Sequence, residues 1–264
     1  MDPLLNSAET PLAEAIRLLQ VTGFEAALWQ VLQRVAAPDN LAILIYRHAG
    51  PAEILYTQSD DPQVFAQLRT TYTDGAYLLD PYYDLHLRHV QPGVYRLLDV
   101  APDAFQRSRY FTEYYAQTTL VDELTFVAYP VPGISLNICL GRDGSSGQPF
   151  TPRQIDACHR LAPIIVALAE RHWSALTTRP GPADDVVGLL IGAVIATHAI
   201  RLSPRQAEVA LLILKGHSSV SAALRLGVAA QTVKVFRKQL YSKCNISSQA
   251  ELFAMMLPLL KGAV

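Results

Sequence analysis

Four cations fall within ten residues of this chain: Lys234, Arg237, Lys238 and Lys243. Val233, Phe236 and Leu240 step by three and four, so on a helix they share one face and point to a core. Lys234, Lys238 and Tyr241 take the same steps on the opposite face, with Arg237 beside them. A helix has the right diameter for the major groove of DNA. There a lysine can donate to guanine O6 and N7, and an intervening valine can touch a thymine methyl. The plainer reading of the same face is a solvated cationic stripe.

A second group of residues could do different chemistry. Of the twelve tyrosines, eight lie between positions 72 and 115. Tyrosine offers an apolar wall with a polar tip, the usual lining of a small-molecule pocket. Tyr72, Tyr77, Tyr82, Tyr95 and Tyr114 are the candidate lining, with Asp80 among them. An ionised carboxylate against aromatic faces suits a ligand carrying an ammonium or an amide N–H. Asp80 before Pro81 also reads as a helix cap followed by the first helical residue. Tyr82-Tyr83 and Tyr114-Tyr115 are adjacent pairs, so one member of each pair must face away from a shared wall.

The elements that position these groups follow from patterning. Residues 1 to 200 hold 13 Arg, no Lys and 21 Asp plus Glu, whereas residues 201 to 264 hold four Arg, five Lys and two Glu. An acidic body thus carries a basic module, although the whole chain of 264 residues has a net charge of −1. From Leu202, the run Leu-Ser-Pro-Arg places Ser203 at a helix start, and Gly216 stops that helix. Ser218 or Ser219 caps a second short helix, Gly227 makes the turn, and a third helix runs from about Ala230 to Cys244. Helix, glycine turn, helix is the pattern of a DNA-binding helix-turn-helix.

In the body, helical spacing spans about Leu12 to Val35, followed by strand-like LAILIYRH (41–48) and EILYTQ (53–58). Helical spacing resumes over 62–73, after Asp80-Pro81 and over 102–118. GVYRLLDV (93–100) reads as a strand, DELTFVAYPV and ISLNICLGR as a hairpin about Pro132-Gly133, and 151–176 as a long helix. Five strands with helices on both sides imply an α/β fold with a mainly antiparallel sheet. TTRPGPADD (177–185) reads as a linker and Val186 to Ile200 as an apolar connecting helix, buried or packed on its twin in a homodimer. The expected domains are a sensor over 1–176, a connection over 177–200 and the helix-turn-helix over 201–264.

Several classes recede. Three scattered cysteines (139, 158, 244) form no disulfide framework or metal spacing. No catalytic constellation and no phosphate loop is present, so neither an enzyme nor a cofactor is expected. The start, MDPLLNSAETPLAEAI, lacks the basic and apolar runs of a signal peptide. The apolar stretch Val186 to Ala196 is about half the ~20 residues that cross a bilayer. A cytoplasmic protein without a membrane partner is expected.

The run LSPRQAEVALLILKGHSSVSAALRLGVAAQTVKVFRKQLYSKCNISSQAELFAMML resembles the C-terminal domain of LuxR-type transcription regulators. The resemblance rests on the Leu-Ser-Pro-Arg opening, Gly216, Leu224, Gly227-Val228, Thr232-Val233-Lys234, Lys243 and the run from Ser247 to Leu252. It implies binding of double-stranded DNA, with Lys234, Val235 and Lys238 at base edges, Thr232, Arg237 and Lys243 at phosphates, and the last helix in a dimer. Gln206, Ala229 and Phe236 stand where the family has Glu, Ser and His. Tyr72, Tyr77 and Asp80-Pro81 are similar to the autoinducer-binding domains of LuxR-type receptors, where Tyr and Asp hold an acyl-homoserine lactone. That implies a sensor of the PAS, GAF or autoinducer-domain kind, and a ligand that is an amine, an amide or acyl-homoserine-lactone-like. The alternative is a body with a filled core that docks protein partners and holds no small ligand.

Overall fold

The computed structural model describes residues 8–47, 50–178 and 185–261. The helical pattern expected from Leu12 to Val35 is two helices, α1 (Glu9–Arg17) and α2 (Phe24–Ala36). Gly23 between them takes φ 100°, a conformation open to glycine at little cost. Ile16, which the spacing places on the inner face, is instead 51% exposed on α1, where Ala15 is buried. Strands β1 (Asn40–Arg47) and β2 (Glu53–Ser59) follow. Residues 62–73, expected as helix, form only single turns at Pro62–Phe65 and Leu68–Tyr72.

Asp80 caps α3 (Pro81–Arg88) by accepting from the Tyr82 N–H at 2.7 Å, and Pro81 fills the first helical position. After β3 (Gly93–Arg96) and α4 (Leu97–Val100), the helix expected over 102–118 is broken. A turn at Phe105–Arg107 ends at Ser108, whose extended backbone starts α5 (Arg109–Glu113) and whose hydroxyl accepts from the Phe111 N–H. The hairpin of β4 (Asp122–Val131) and β5 (Ile134–Arg142) turns at Pro132-Gly133, and Thr151 with Gln154 forms a capping box for α6 (Pro152–His172). The remaining helices are α7 (Val186–His198), α8 (Pro204–Lys215), α9 (Ser219–Leu226), α10 (Ala230–Cys244) and α11 (Gln249–Lys261). Most of the segment read as a linker, residues 179–184, lies outside the described residues.

All strand pairs are antiparallel, in the order β2-β1-β5-β4-β3. Side chains alternate across the sheet. One face carries Leu41, Ile43, Phe126, Ile138 and Leu140, which pack with Phe24, Leu28 and Ile165 of the helical layer. The centre of that face is apolar, and each such side chain contributes about 1.5–3 kcal/mol on burial. The other face carries Ala42, Leu44, Tyr46, Val127 and Cys139. It joins the tyrosine-rich segment and the helix-turn-helix in one continuous core that reaches Ile213 and Phe253. Helix α7 buries the stripe Val186, Leu190 and Val194 but leaves Ile195 40% exposed. Among the described residues no helix is long and apolar enough to cross a membrane.

Candidate functional site

The second sheet face supports a cavity of about 50 Å³. Its walls include Tyr72, Asp80, Tyr82 and Tyr114 from the sequence reading, together with Tyr110, Tyr115, Glu123 and Cys139. Tyr72 comes from the single turn before α3, Asp80 and Tyr82 from the start of α3, and Tyr110 and Tyr114 from α5 and its end. Tyr77 and Tyr95 do not line it. The Tyr77 hydroxyl donates to Gly50 O at 3.4 Å, and the Tyr95 hydroxyl donates to Gln91 O at 2.6 Å. Placement in the same stretch of chain did not imply a shared wall, because the turn Ala76–Leu79 and β3 carry these two rings elsewhere.

Asp80 is buried and well supplied with donors. Tyr72 donates to Oδ2 at 2.7 Å, the Tyr82 N–H donates to Oδ1 at 2.7 Å, and Tyr110 adds a third hydrogen bond. Burial pushes its pKa up, and these donors only partly oppose it. Tyr46 hydrogen-bonds Tyr72 from behind, and Tyr114 stacks on both Tyr72 and Tyr110 at 5.7 and 5.4 Å. Asp80 therefore both caps α3 and faces the cavity.

Glu123 was not among the sequence candidates. It sits on β4 next to Asp122, but alternation sends the two side chains to opposite sides. Asp122 accepts two hydrogen bonds from Arg96, both at 3.0 Å, and one from the Phe150 N–H. Glu123 faces the cavity beside Cys139, whose thiol donates to Thr125 Oγ1 at 3.5 Å. Burial, then the charges of Asp80 and Asp122, pushes its pKa well above the usual carboxylate range. The signal available in the sequence was the alternation Glu123-x-Thr125-x-Val127, which puts a carboxylate on an inward face.

The second candidate surface is α10. Val233 and Leu240 are buried and Phe236 is half-buried, while Lys234, Val235, Arg237 and Lys238 are exposed and Thr232 is half-buried. Tyr241, read as part of the outer face, is instead half-buried, with the Arg237 guanidinium 5.1 Å from its ring centre. Lys243 is exposed and has partners within the protein. Its ammonium donates to Arg201 O at 3.1 Å and to Gln206 Oε1 at 3.0 Å, tying the end of α10 to the start of α8. Gln206 completes a capping box with Ser203, the work expected of a Glu at that position. Ala229 caps α10 without a side-chain hydrogen bond.

Between cavity and basic module lies a polar seam. Asp84 on α3 accepts from Arg225 Nη2 at 2.6 Å and from Lys215 Nζ at 3.5 Å. Burial alone would raise its pKa, but Lys215 and then Arg225 outweigh it and hold the carboxyl below the ordinary range. The Ser218 N–H donates to Asp103 Oδ1 at 2.9 Å, and the Ala104 N–H donates to Gly216 O at 3.0 Å. Gly216 has φ 96°, and a Cβ there would come within 2.9 Å of Phe105 Cα. Its lack of a side chain thus serves both the end of α8 and the close approach of the body.

Residues 201–256 match the model for bacterial regulatory proteins, luxR family. A putative HTH-type transcriptional regulator in the exeN 3'region of Aeromonas salmonicida is 25% identical over 184 residues, covering 67% of this chain and 93% of that relative. The VqsR LBD domain from Pseudomonas aeruginosa is similar in structure, with a TM-score of 0.52 and 25% identity over 63% of this chain and 96% of that one. Escherichia coli SdiA gives a TM-score of 0.45 at 15% identity, covering 96% of this chain and 97% of SdiA. The match falls on the helices that carry the basic face and the seam, and the C-terminal module is thereby a helix-turn-helix DNA-binding domain of the luxR family of bacterial regulatory proteins.

Proposed function

We propose that this chain is a dimeric transcription regulator in which a small molecule in the body controls DNA binding by the helix-turn-helix. The observation that carries the reading is the position of α3, which bears Asp80 in the cavity wall and Asp84 in the seam. A ligand shifts DNA affinity only by as much as it prefers one arrangement, and ~1–3 kcal/mol of coupling suffices. The sensor occupies about 1–176 and the DNA-binding domain 201–264, joined through 177–200. Lys234, Val235 and Lys238 read base edges, and Thr232 and Arg237 meet phosphates. The exposed side of α7 around Ile195, and α11, offer apolar surface to a second copy.

The cavity's volume of about 50 Å³ favours a second reading. Pockets for drug-sized ligands run to ~300–1,000 Å³, so a closed core that docks a protein partner also fits this body. Native mass spectrometry of the protein purified from its own host separates the two. A dimer mass with a stoichiometric small-molecule excess, lost in Tyr72→Ala, supports the sensor. A dimer at its bare mass, with DNA binding intact, supports the docking module.

A further inference from the structure

The carboxylates of α3 and the start of β4 differ in how their charge is met. Asp122 has Arg96, Asp84 has Arg225 and Lys215, and Asp80 has three hydrogen-bond donors. Among the described residues no cation pairs with Glu123, and the Cys139 thiol beside it donates to Thr125 Oγ1 at 3.5 Å. The cavity lining includes no Lys, Arg or His. What it does present beside Glu123 is Asp80, the phenols of Tyr72, Tyr82, Tyr110 and Tyr114, and an apolar floor of Ala42 and Leu44.

Building on the sensor reading, we propose that the cavity takes an organic cation, the primary ammonium end of a small alkyl- or arylamine, paired with Glu123 and enclosed by tyrosine rings. Three kinds of complementarity converge on that class. An ammonium supplies three donors and no acceptor, which suits a wall whose free polar capacity is carboxylate and phenol oxygen. Aromatic faces attract a desolvated cation more strongly than an isosteric neutral group. An anionic ligand would meet two carboxylates and find no cation. The small volume fits a head group of a few heavy atoms, with a longer tail requiring the turns at 62–72 to give way. Glu123 then contributes most when the amine is charged, whereas Asp80 remains occupied with its cap and its tyrosines.

The test is thermal denaturation of the full chain with primary ammonium chlorides from ethyl to hexyl and phenethyl. The matched neutral alcohols and potassium chloride serve as controls. The expected result is a saturable rise in Tm with at least one ammonium at a concentration at least about tenfold below that of its alcohol. In Glu123→Gln, which keeps shape and removes charge, that preference should fall about tenfold. Equal stabilisation by alcohols and ammonium ions in the unaltered protein overturns the cation assignment while leaving a ligand cavity standing. No shift with either series overturns the cation assignment, while the sensor reading stands or falls on the native mass measurement. The comparison within the unaltered protein decides the matter even where Glu123→Gln folds poorly.

Discussion

Asp80 and Asp84 stand one helical turn apart on α3 and serve different parts of the molecule, Asp80 the cavity and Asp84 the DNA-binding module. Four residues of helix span ~6 Å, so a ligand that rearranges the bonds of Asp80 acts on the short rigid element that anchors Arg225 and Lys215. Replacing Asp84 by Asn removes the charge that compensates both cations while keeping the side chain's size. A loss of about 2 kcal/mol is expected, since a largely buried Lys215 is left without its counter-charge. A double-mutant cycle of Asp84→Asn with Arg225→Gln, read by calorimetry, should give a coupling of at least about 1 kcal/mol. A coupling of zero means that the pair does not form in solution.

The seam also carries a pH dependence. His217 hydrogen-bonds Ser221 at 2.7 Å, and burial, then Arg225, pushes its pKa down to about 4. Lys215 adds to that lowering, while Asp84 and Asp103 oppose it. The unfolded chain takes up this proton near ~6.5, the folded chain only near 4. Stability from His217 is therefore complete above pH ~6.5 and declines as the pH falls towards 4. The decline should amount to about 1.5 kcal/mol, because solvent reaches part of the ring. His217→Gln should flatten that part of the stability curve; an unchanged slope would assign it to other groups.

What could be read in the sequence was what is local. Ser203-Pro204, Gly216 and Gly227 punctuate the helix-turn-helix by caps and turns that need no distant partner, and each acts in that way in the fold. The five strands were legible as runs bounded by turn residues, but the pairing of β1 with β5 joins segments about a hundred residues apart and leaves no local mark. Tyr72, Asp80, Tyr82 and Tyr114 do converge, while Tyr77 and Tyr95 turn away to backbone carbonyls. Glu123 escaped because Asp122-Glu123 at a strand start reads as a solvated edge, and only the partner strands bury it. The seam was invisible for the same reason, with Asp84 and Lys215 131 positions apart.

The basic face can be dissected by contrasting lysines. Lys234 and Lys238 are exposed on α10, so replacing both by Ala should leave Tm unchanged and abolish sequence-selective footprints. The slope of log affinity against log salt should fall by about one unit for each lysine that neutralises a phosphate. Lys243→Ala should instead lower stability by about 1 kcal/mol, through its lost bonds to Arg201 and Gln206, and leave the slope nearly unchanged. A slope that drops by a full unit with Tm unchanged would return Lys243 to the phosphate backbone.

The uncapped start of α10 offers the last prediction. Ala229 has the extended backbone of a cap, φ −72° and ψ 147°, but no side-chain oxygen for the first-turn N–H groups. Ser203 and Ser218 adopt nearly the same angles and do cap α8 and α9. Ala229→Ser needs no backbone change and should add about 1 kcal/mol to stability. It also holds in place the turn from which Lys234 and Lys238 project, so affinity for a selected DNA sequence should hold or rise. A Tm that does not increase would mean that the first-turn amides of α10 are already satisfied, and loss of DNA binding would mean that those amides themselves meet a phosphate.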